Sequence, residues 1–149
     1  MEHNAMALLK WISGIFASHA KEPEIHLIVK NITRDTELAQ HIDVADTSKT
    51  RRKGLLGRKR LSTGGGLWIV PCAAVHTFRM QFSIDLIYLS KTKKVRKIRH
   101  EVPPWRISCC LFAHSVLELE AGSVRKSGTC RGDRLDLPFS PDKNDETRL

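Results

Sequence analysis

The stretch Pro71–Leu89, PCAAVHTFRMQFSIDLIYL, ends in a short apolar run that predicts the central strand of the fold. This run, Ile84–Leu89, has the length and composition of a buried strand. Asp85 interrupts it, and a buried carboxylate is costly unless a cation or several hydrogen-bond donors meet it. We therefore expect a partner for Asp85. The candidate cations are His76, Arg79, Arg51 and Arg58; the alternative is a structural role in which Asp85 accepts hydrogen bonds from backbone amides and an arginine and so holds the loop to the sheet.

Other short strands and a few helical turns are indicated on both sides of this run. Strands are predicted at 24–31, 38–44, 67–70, 95–100 and 117–120; the first two are expected to form one hairpin, and 86–89 with 95–100 a second. The strand at 117–120 alternates leucine with glutamate, which is typical of a half-buried strand. Short helices are predicted at 49–53 and 124–127, with capping residues at 46–48 and at Ser123, and with stops at Gly54 or Gly57 and at Gly128. The pattern predicts a mainly β or α+β fold, a small partly open barrel with a few short helices.

The chain of 149 residues is long enough for one domain with a proper core. We place this domain at 24–137, between a leader at 1–23 and a polar tail at 138–149 that is expected to be disordered. The leader has features of a weak secretory signal, of an interfacial helix and of a disordered segment. It contains no apolar run of the roughly 18 residues that a membrane span needs.

The net charge of +9 favours anionic partners such as nucleic acid, anionic lipid or polysaccharide. Residues 49–60 carry seven bases and no acid. Such a run is either a solvated face or a set of bases that points into a site. Few aromatic residues accompany the basic segments, which argues against nucleic acid. The triple glycine Gly64–Gly66 predicts a flexible turn.

The four cysteines form no C-x-x-C pair: Cys72, Cys109, Cys110 and Cys130. They are expected to be free and mostly buried thiols, with one bridge, for example from Cys72 or Cys109 to Cys130, as the alternative if the protein is exported. On a helix, the spacing of Cys72, His76 and Met80 would place three soft-metal ligands on one side, a set suited to Cu(I). The alternative is that these three are core and loop residues. No cofactor is expected.

An ordered set of short patterns resembles the family called domain of unknown function 192, over about residues 38–137. The patterns are Ala45-Asp46-Thr47, Arg51, Gly54-Leu55-Leu56, Arg58, Leu61, Gly66-Leu67-Trp68, Val75-His76-Thr77, Met80, Ile84-Asp85-Leu86, Pro103, Val116-Leu117-Glu118-Leu119, Ala121-Gly122 and Gly132-Asp133. The family usually has methionine where this chain has Leu56 and Leu67, and proline where it has Ser83. The resemblance implies a compact β-rich domain and, because many relatives look exported, favours the cell envelope. It implies no activity.

The resemblance implies that the candidate binding residues are Arg51, Gly54, Arg58, His76, Met80 and Asp85. We expect a non-catalytic module that binds a small polar or anionic ligand, or a protein partner, in the cytoplasm or at the cell envelope. One alternative is a hydrolase in which Asp85 orients His76 as a general base. Another is a module that binds an anionic polymer through its basic segments. The oligomeric state stays open.

Overall fold

The computed structural model of the protein describes residues 27–137. The predicted leader and tail lie outside these residues. The elements of the described part are β1 Leu27–Asn31, β2 Thr36–Ala45, α1 Ser48–Lys53, β3 Gly65–Ile69, β4 Ala74–His76, β5 Ile84–Leu89, β6 Val95–Val102, β7 Ile107–Cys109, β8 Ser115–Glu120, α2 Ser123–Ser127 and β9 Leu135–Asp136. No helix within 27–137 is long and apolar enough to cross a membrane.

Seven strands form one sheet in the order β6-β5-β8-β3-β2-β1-β9, and β4 and β7 form a separate two-stranded ribbon. The pair β2–β3 is parallel, and the other pairs are antiparallel. The large sheet curls strongly into a half-barrel. The prediction of a mainly β, partly open barrel with short helices is therefore confirmed. Both predicted hairpins, β1–β2 and β5–β6, are present.

The two edge strands of the sheet meet at one end of the half-barrel. The Val95 amide donates to the Asp133 carbonyl at 2.8 Å, and the Val95 carbonyl accepts from the Gly132 amide at 2.9 Å. Nearby, the Leu135 amide donates to the Lys93 carbonyl at 3.1 Å. These bonds join the start of β6 to the segment that leads into β9. They satisfy part of the backbone that an edge strand would otherwise leave unpaired.

Each face of the sheet carries its own apolar layer. On the concave face, Ile87 and Leu117 pack with Val124 of α2. On the outer face, Leu86 and Val116 pack under side chains from the ribbon and from the loops after α1 and β4. Successive strand residues point to opposite faces, so a strand between two covered faces is buried along its whole length. The prediction of a half-buried strand at 117–120 is wrong for this reason.

Two of the three glycines lie in a strand rather than in the predicted flexible turn, whereas Gly64 lies in a turn with a φ of 70°. Gly65 and Gly66 belong to β3 and are buried. A Cβ atom on Gly66 would lie 2.5 Å from the backbone carbonyl of Glu118 and 2.7 Å from Cδ1 of Ile42. Glycine here lets β3 approach its neighbours more closely than any side chain would permit.

The two helices begin differently. Thr47 caps α1, since its side chain accepts from the Thr50 amide, and Gly54 ends the helix at a positive φ of 48°. This start and stop agree with the prediction. At α2 the predicted cap Ser123 is wrong: the capping position is Gly122, which provides no side-chain bond.

The soft-metal spacing at 72–80 does not lie on a helix. Residues Ala74–His76 form the strand β4, and a turn follows them. The four cysteines are free thiols, as expected, but the expectation that most are buried is wrong, because Cys109 and Cys130 are exposed and Cys72 and Cys110 are half-buried.

Candidate functional site

A cavity of about 660 Å³ opens on the outer face of the half-barrel, between α1 and β4. Its walls come from three covering elements: the helix α1, the residues that follow it and the segment from Pro71 to Met80. Its floor comes from the sheet, where Ile69 of β3 and Glu118 of β8 line it. The cavity therefore lies where the apolar cover leaves a gap above the central strands.

Glu118 is the polar group of this floor. It is only 3% exposed, and it pairs in register with Leu67 of β3 and Leu86 of β5. Its Oε2 atom has no hydrogen-bond partner among residues 27–137. Burial raises the pKa of Glu118 to about 7, and the positive charge of Arg58 opposes this rise. A buried polar atom without a partner needs an explanation, and the Oε2 atom of Glu118 differs from the other such atoms of the described residues in belonging to an acid that lines a cavity.

Three consecutive bases of α1, Arg51, Arg52 and Lys53, line the wall of the cavity. The Arg51 guanidinium donates to the Asp46 carbonyl at 2.5 Å and to the Val70 carbonyl at 3.5 Å. These bonds fix the guanidinium between the start of α1 and the end of β3. The cavity thus has fixed positive charge on its wall and an acid in its floor.

Cys72, His76 and Met80 line the same cavity although they are not helical. The Cys72 thiol donates to the Ala74 carbonyl at 3.1 Å. Burial raises the pKa of this thiol, which keeps it protonated and a weak nucleophile at neutral pH. No cluster of three or more His, Cys, Asp and Glu side chains in the described part of the chain could hold a metal ion. Metal binding by Cys72, His76 and Met80 stays a prediction.

Four of the six candidate binding residues line this cavity: Arg51, Gly54, His76 and Met80. Arg58 lies outside the lining, where its Nη2 atom forms an ion pair with Asp43 at 2.6 Å. It is still close enough to Glu118 to affect the pKa of that carboxyl. The binding role of these residues stays a prediction.

Asp85 lies on the concave face, away from the cavity. Its two oxygens accept from the backbone amides of Glu101, at 2.8 Å, and Val124, at 2.9 Å. Among the described residues, backbone amides and not a cation therefore balance this carboxylate, and the expectation of a cationic partner is wrong. The alternative expectation, that backbone amides and an arginine hold Asp85, was closer to the structure, although no arginine among the described residues takes part. The structure does not bring His76 and Asp85 together, so the proposed general-base pair does not form.

The sequence pattern identified Glu118 only as part of a strand. Its alternation with leucine suggested an exposed side chain, because a strand with one solvated face shows the same pattern. The number of predicted strands was a signal that Glu118 could be buried. A sheet with two covered faces buries both sides of its central strands. Pairing partners are not readable from one sequence, so this signal could not single out β8.

The fold and the cavity define a small β half-barrel with an acid-floored, base-walled cavity on its outer face. A family model for domain of unknown function 192 (DUF192, described as "Uncharacterized ACR") matches residues 29–137. The chain therefore belongs to this uncharacterised family, and the resemblance seen in the sequence is confirmed.

Two crystal structures share the fold. One is described as a proposed transcription regulator from Sinorhizobium meliloti 1021, with 20% identity, a TM-score of 0.63, and coverage of 75% of this chain and 92% of that one. The other is a protein of unknown function from Novosphingobium aromaticivorans DSM 12444, with 20% identity, a TM-score of 0.64, and coverage of 74% and 83%. At this identity the likeness shows the fold alone. The comparison with curated proteins gives no significant match.

Proposed function

We propose that the protein is a non-catalytic binding module whose outer-face cavity takes a small organic ligand with an anionic group. The observation that carries this proposal is the partnerless Oε2 atom of the buried Glu118, set in the floor of a cavity with bases on its wall. A cavity of about 660 Å³ lies within the usual range of small-molecule sites, which runs from about 300 to 1,000 Å³.

The two polar regions of the cavity suggest what the ligand carries. An N–H or O–H group at its inner end would donate to Glu118 and so satisfy the buried oxygen. An anionic group at its outer end would meet Arg52, Lys53 and the fixed guanidinium of Arg51. The apolar side chains between these regions, such as Ile69 and Met80, suit a short carbon skeleton. A small hydroxy acid or amino acid has these features.

One observation favours an enzyme as the second candidate. Glu118, with a pKa of about 7, lines the same cavity as His76, and a carboxyl of this kind can serve as a general acid or base. A hydrolase would also need an activated nucleophile, and the protonated thiol of Cys72 is a poor one. Binding without catalysis therefore agrees better with the cavity. Hydrolysis of p-nitrophenyl acetate that depends on both Glu118 and His76 would favour the enzyme instead.

The binding proposal is tested by NMR of protein labelled at the methionine methyl groups. Met80 is the one methionine among residues 27–137, and its methyl group reports on the cavity that it lines. Glycine, lactate and inorganic phosphate are titrated separately. We expect at least one to shift the Met80 resonance in a saturable manner.

Matched variants assign that shift to the cavity. Glu118→Gln and the double variant Arg52→Gln, Lys53→Gln should each weaken binding about tenfold or more, since each removes a charge-assisted bond. The control is Lys59→Gln, Arg60→Gln, which removes the same charge outside the cavity lining. A Met80 resonance that does not shift with any of the three probes, or equal binding in all variants, would contradict the proposal.

A further inference from the structure

The ribbon of β4 and β7 presents an apolar face to solvent. Val75 and Ser108 pair in register and point inward, where both are buried. Their neighbours on the two strands point outward, and the pair His76 and Ile107 lies on this outward face. Ile107 is 68% exposed. Soluble proteins rarely leave the whole side of a ribbon apolar, and such a surface usually marks an interaction site.

Larger apolar side chains extend this face at both ends. Phe78 stacks on His76 with ring centroids 5.0 Å apart and lies 5.8 Å from Trp105, which is 62% exposed. At the other end, the turn that follows β7 carries Leu111 and Phe112, which are 83% and 80% exposed. We refer to the ribbon face with Phe78, Trp105, Leu111 and Phe112 as the apolar rim.

The elements around the apolar rim carry positive charge without any acid. Residues 47–84 contain eight bases and no acid, and residues 102–117 contain one base and no acid. These two segments include α1, the ribbon and the loops that cover the outer face of the sheet. On the adjoining strand β6, the Lys97 ammonium reaches the Cys109 carbonyl of the ribbon at 2.7 Å. A partner of this surface therefore has to be anionic and has to accept exposed apolar side chains.

We propose that the apolar rim docks on the surface of a membrane that contains anionic phospholipids. In this arrangement Leu111, Phe112 and Ile107 enter the boundary between headgroups and acyl chains, where Trp105 is also favourably placed. The bases of the two acid-free segments meet the negatively charged headgroups, to which each base near the surface contributes. The rim adjoins the cavity and shares His76 with its lining, but its exposed apolar residues Ile107, Leu111 and Phe112 lie outside that lining, and the inference does not depend on the cavity's ligand.

Single-stranded nucleic acid fits the same features less well. Bases stack on exposed aromatic faces, whereas the rings of His76 and Phe78 already stack on each other. The highly exposed aliphatic groups of Ile107 and Leu111 cannot form hydrogen bonds or ion pairs with a phosphate backbone. An anionic bilayer would interact with both features: its acyl chains with the aliphatic side chains, and its headgroups with the bases.

The experiment measures sedimentation of the full chain with lipid vesicles at moderate ionic strength. We expect binding to vesicles of phosphatidylcholine with phosphatidylglycerol and much weaker binding to phosphatidylcholine alone. The variant Leu111→Ser, Phe112→Ser should lower the partition coefficient by at least about tenfold, since it removes several inserted carbon groups. Neutralising Lys59 and Arg60 together should lower it by about tenfold or more, through loss of attraction to the headgroups.

The matched control is Ile28→Ser, Ile32→Ser, which removes two exposed apolar residues on and just after β1, near the other edge of the sheet. It should leave vesicle binding unchanged, and because every variant retains residues 1–23, any contribution of that segment cancels. Glu118→Gln should also leave it unchanged, which separates this inference from the proposed ligand site. Equal binding to both vesicle types, no loss in the Leu111, Phe112 variant, or displacement of the vesicles by a single-stranded oligonucleotide that binds through Trp105 would overturn the inference.

Discussion

Two carboxylates lie buried on neighbouring strands of the sheet, and their surroundings differ in every respect. Asp85 of β5 pairs in register with Leu119, and Glu118 of β8 pairs with Leu86. The two acids are therefore one position apart along the strands and point to opposite faces. Asp85 faces the concave layer and accepts hydrogen bonds from two backbone amides, whereas Glu118 lines the cavity and its buried Oε2 atom has no hydrogen-bond partner among residues 27–137.

The difference separates a structural acid from a candidate functional one. Asp85 provides acceptors for two backbone amides: Val124 lies in the first turn of α2, and Glu101 lies at an irregular position of β6 with a φ of 48°. Every oxygen of Asp85 thus has a role within the fold. Glu118 contributes no such bond, and its burial costs stability. A group that is costly to the fold and open to a cavity is best explained by a ligand.

The largest expected effect is that of removing the structural acid. Asp85→Ala leaves the amides of Glu101 and Val124 without an acceptor, and each unsatisfied amide costs about 1–3 kcal/mol. We therefore expect the free energy of unfolding in urea to fall by about 2–5 kcal/mol. Asp85→Asn should lose less, because its amide oxygen retains one acceptor.

Asp136→Ala, at an exposed position of β9, is the control for loss of an aspartate. If Asp85→Ala were as stable as this control, the assignment of Asp85 as the residue that holds α2 and β6 to the sheet would be wrong.

The second effect has the opposite sign. Because burial raises the pKa of Glu118 to about 7, the folded state holds this proton more tightly than the unfolded state does. The contribution of Glu118 to wild-type stability is then highest below the unfolded-state pKa and falls as pH rises to about 7. The glutamine of Glu118→Gln does not titrate, so the stability of this variant lacks that pH dependence. Relative to the wild type, its free energy of unfolding should rise by about 3 kcal/mol from about pH 4 to about pH 8.

Urea denaturation of both proteins at the two pH values measures this change, with the exposed Glu37→Gln as the control for loss of one carboxylate. Glu118→Gln should gain stability at alkaline pH and lose ligand affinity, a combination typical of functional sites. A stability difference that does not change with pH would mean that the fold does not penalise the Glu118 carboxylate.

Much of the fold could be predicted from the sequence. Apolar runs and turn residues gave both hairpins and the strand Ile84–Leu89, and capping residues gave α1. These signals are local, so one sequence contains them. The ribbon was missed because each of its strands has only three residues. The parallel pair β2–β3 was missed because its register depends on distant segments.

The candidate site was predicted in part, and the error has a physical cause. An acid within a continuous apolar run, such as Asp85, is conspicuous, whereas an acid that alternates with leucine resembles a solvent-facing residue. Which face a strand residue occupies, and whether that face is covered, depends on the neighbouring strands and loops. The sequence therefore indicated Asp85 as a candidate site residue and did not indicate Glu118. Arg51, His76 and Met80 were found because they belong to the short patterns that this chain shares with its family, and all three line the cavity.

The smallest expected effect concerns Arg58, which lies near Glu118 but outside the cavity lining. Its positive charge opposes the rise in the pKa of Glu118, so Arg58→Gln should move that pKa further upward. Global stability should change little, because the ion pair with Asp43 is solvent-exposed. Arg131→Gln is a suitable charge-matched control. A pKa of Glu118 that moves downward, or moves equally in the control, would show that Arg58 does not act on this carboxyl.

The most direct test of the difference between the two acids is a carbon-13 NMR titration of the Glu118 side-chain carboxyl. The resonance is assigned by its absence from the spectrum of Glu118→Gln. Its midpoint should lie near pH 7, because the carboxyl is buried without a hydrogen-bond partner among the described residues. A midpoint near 4.5, the ordinary value for glutamate, would contradict the claim that the fold keeps a costly acid beneath the cavity.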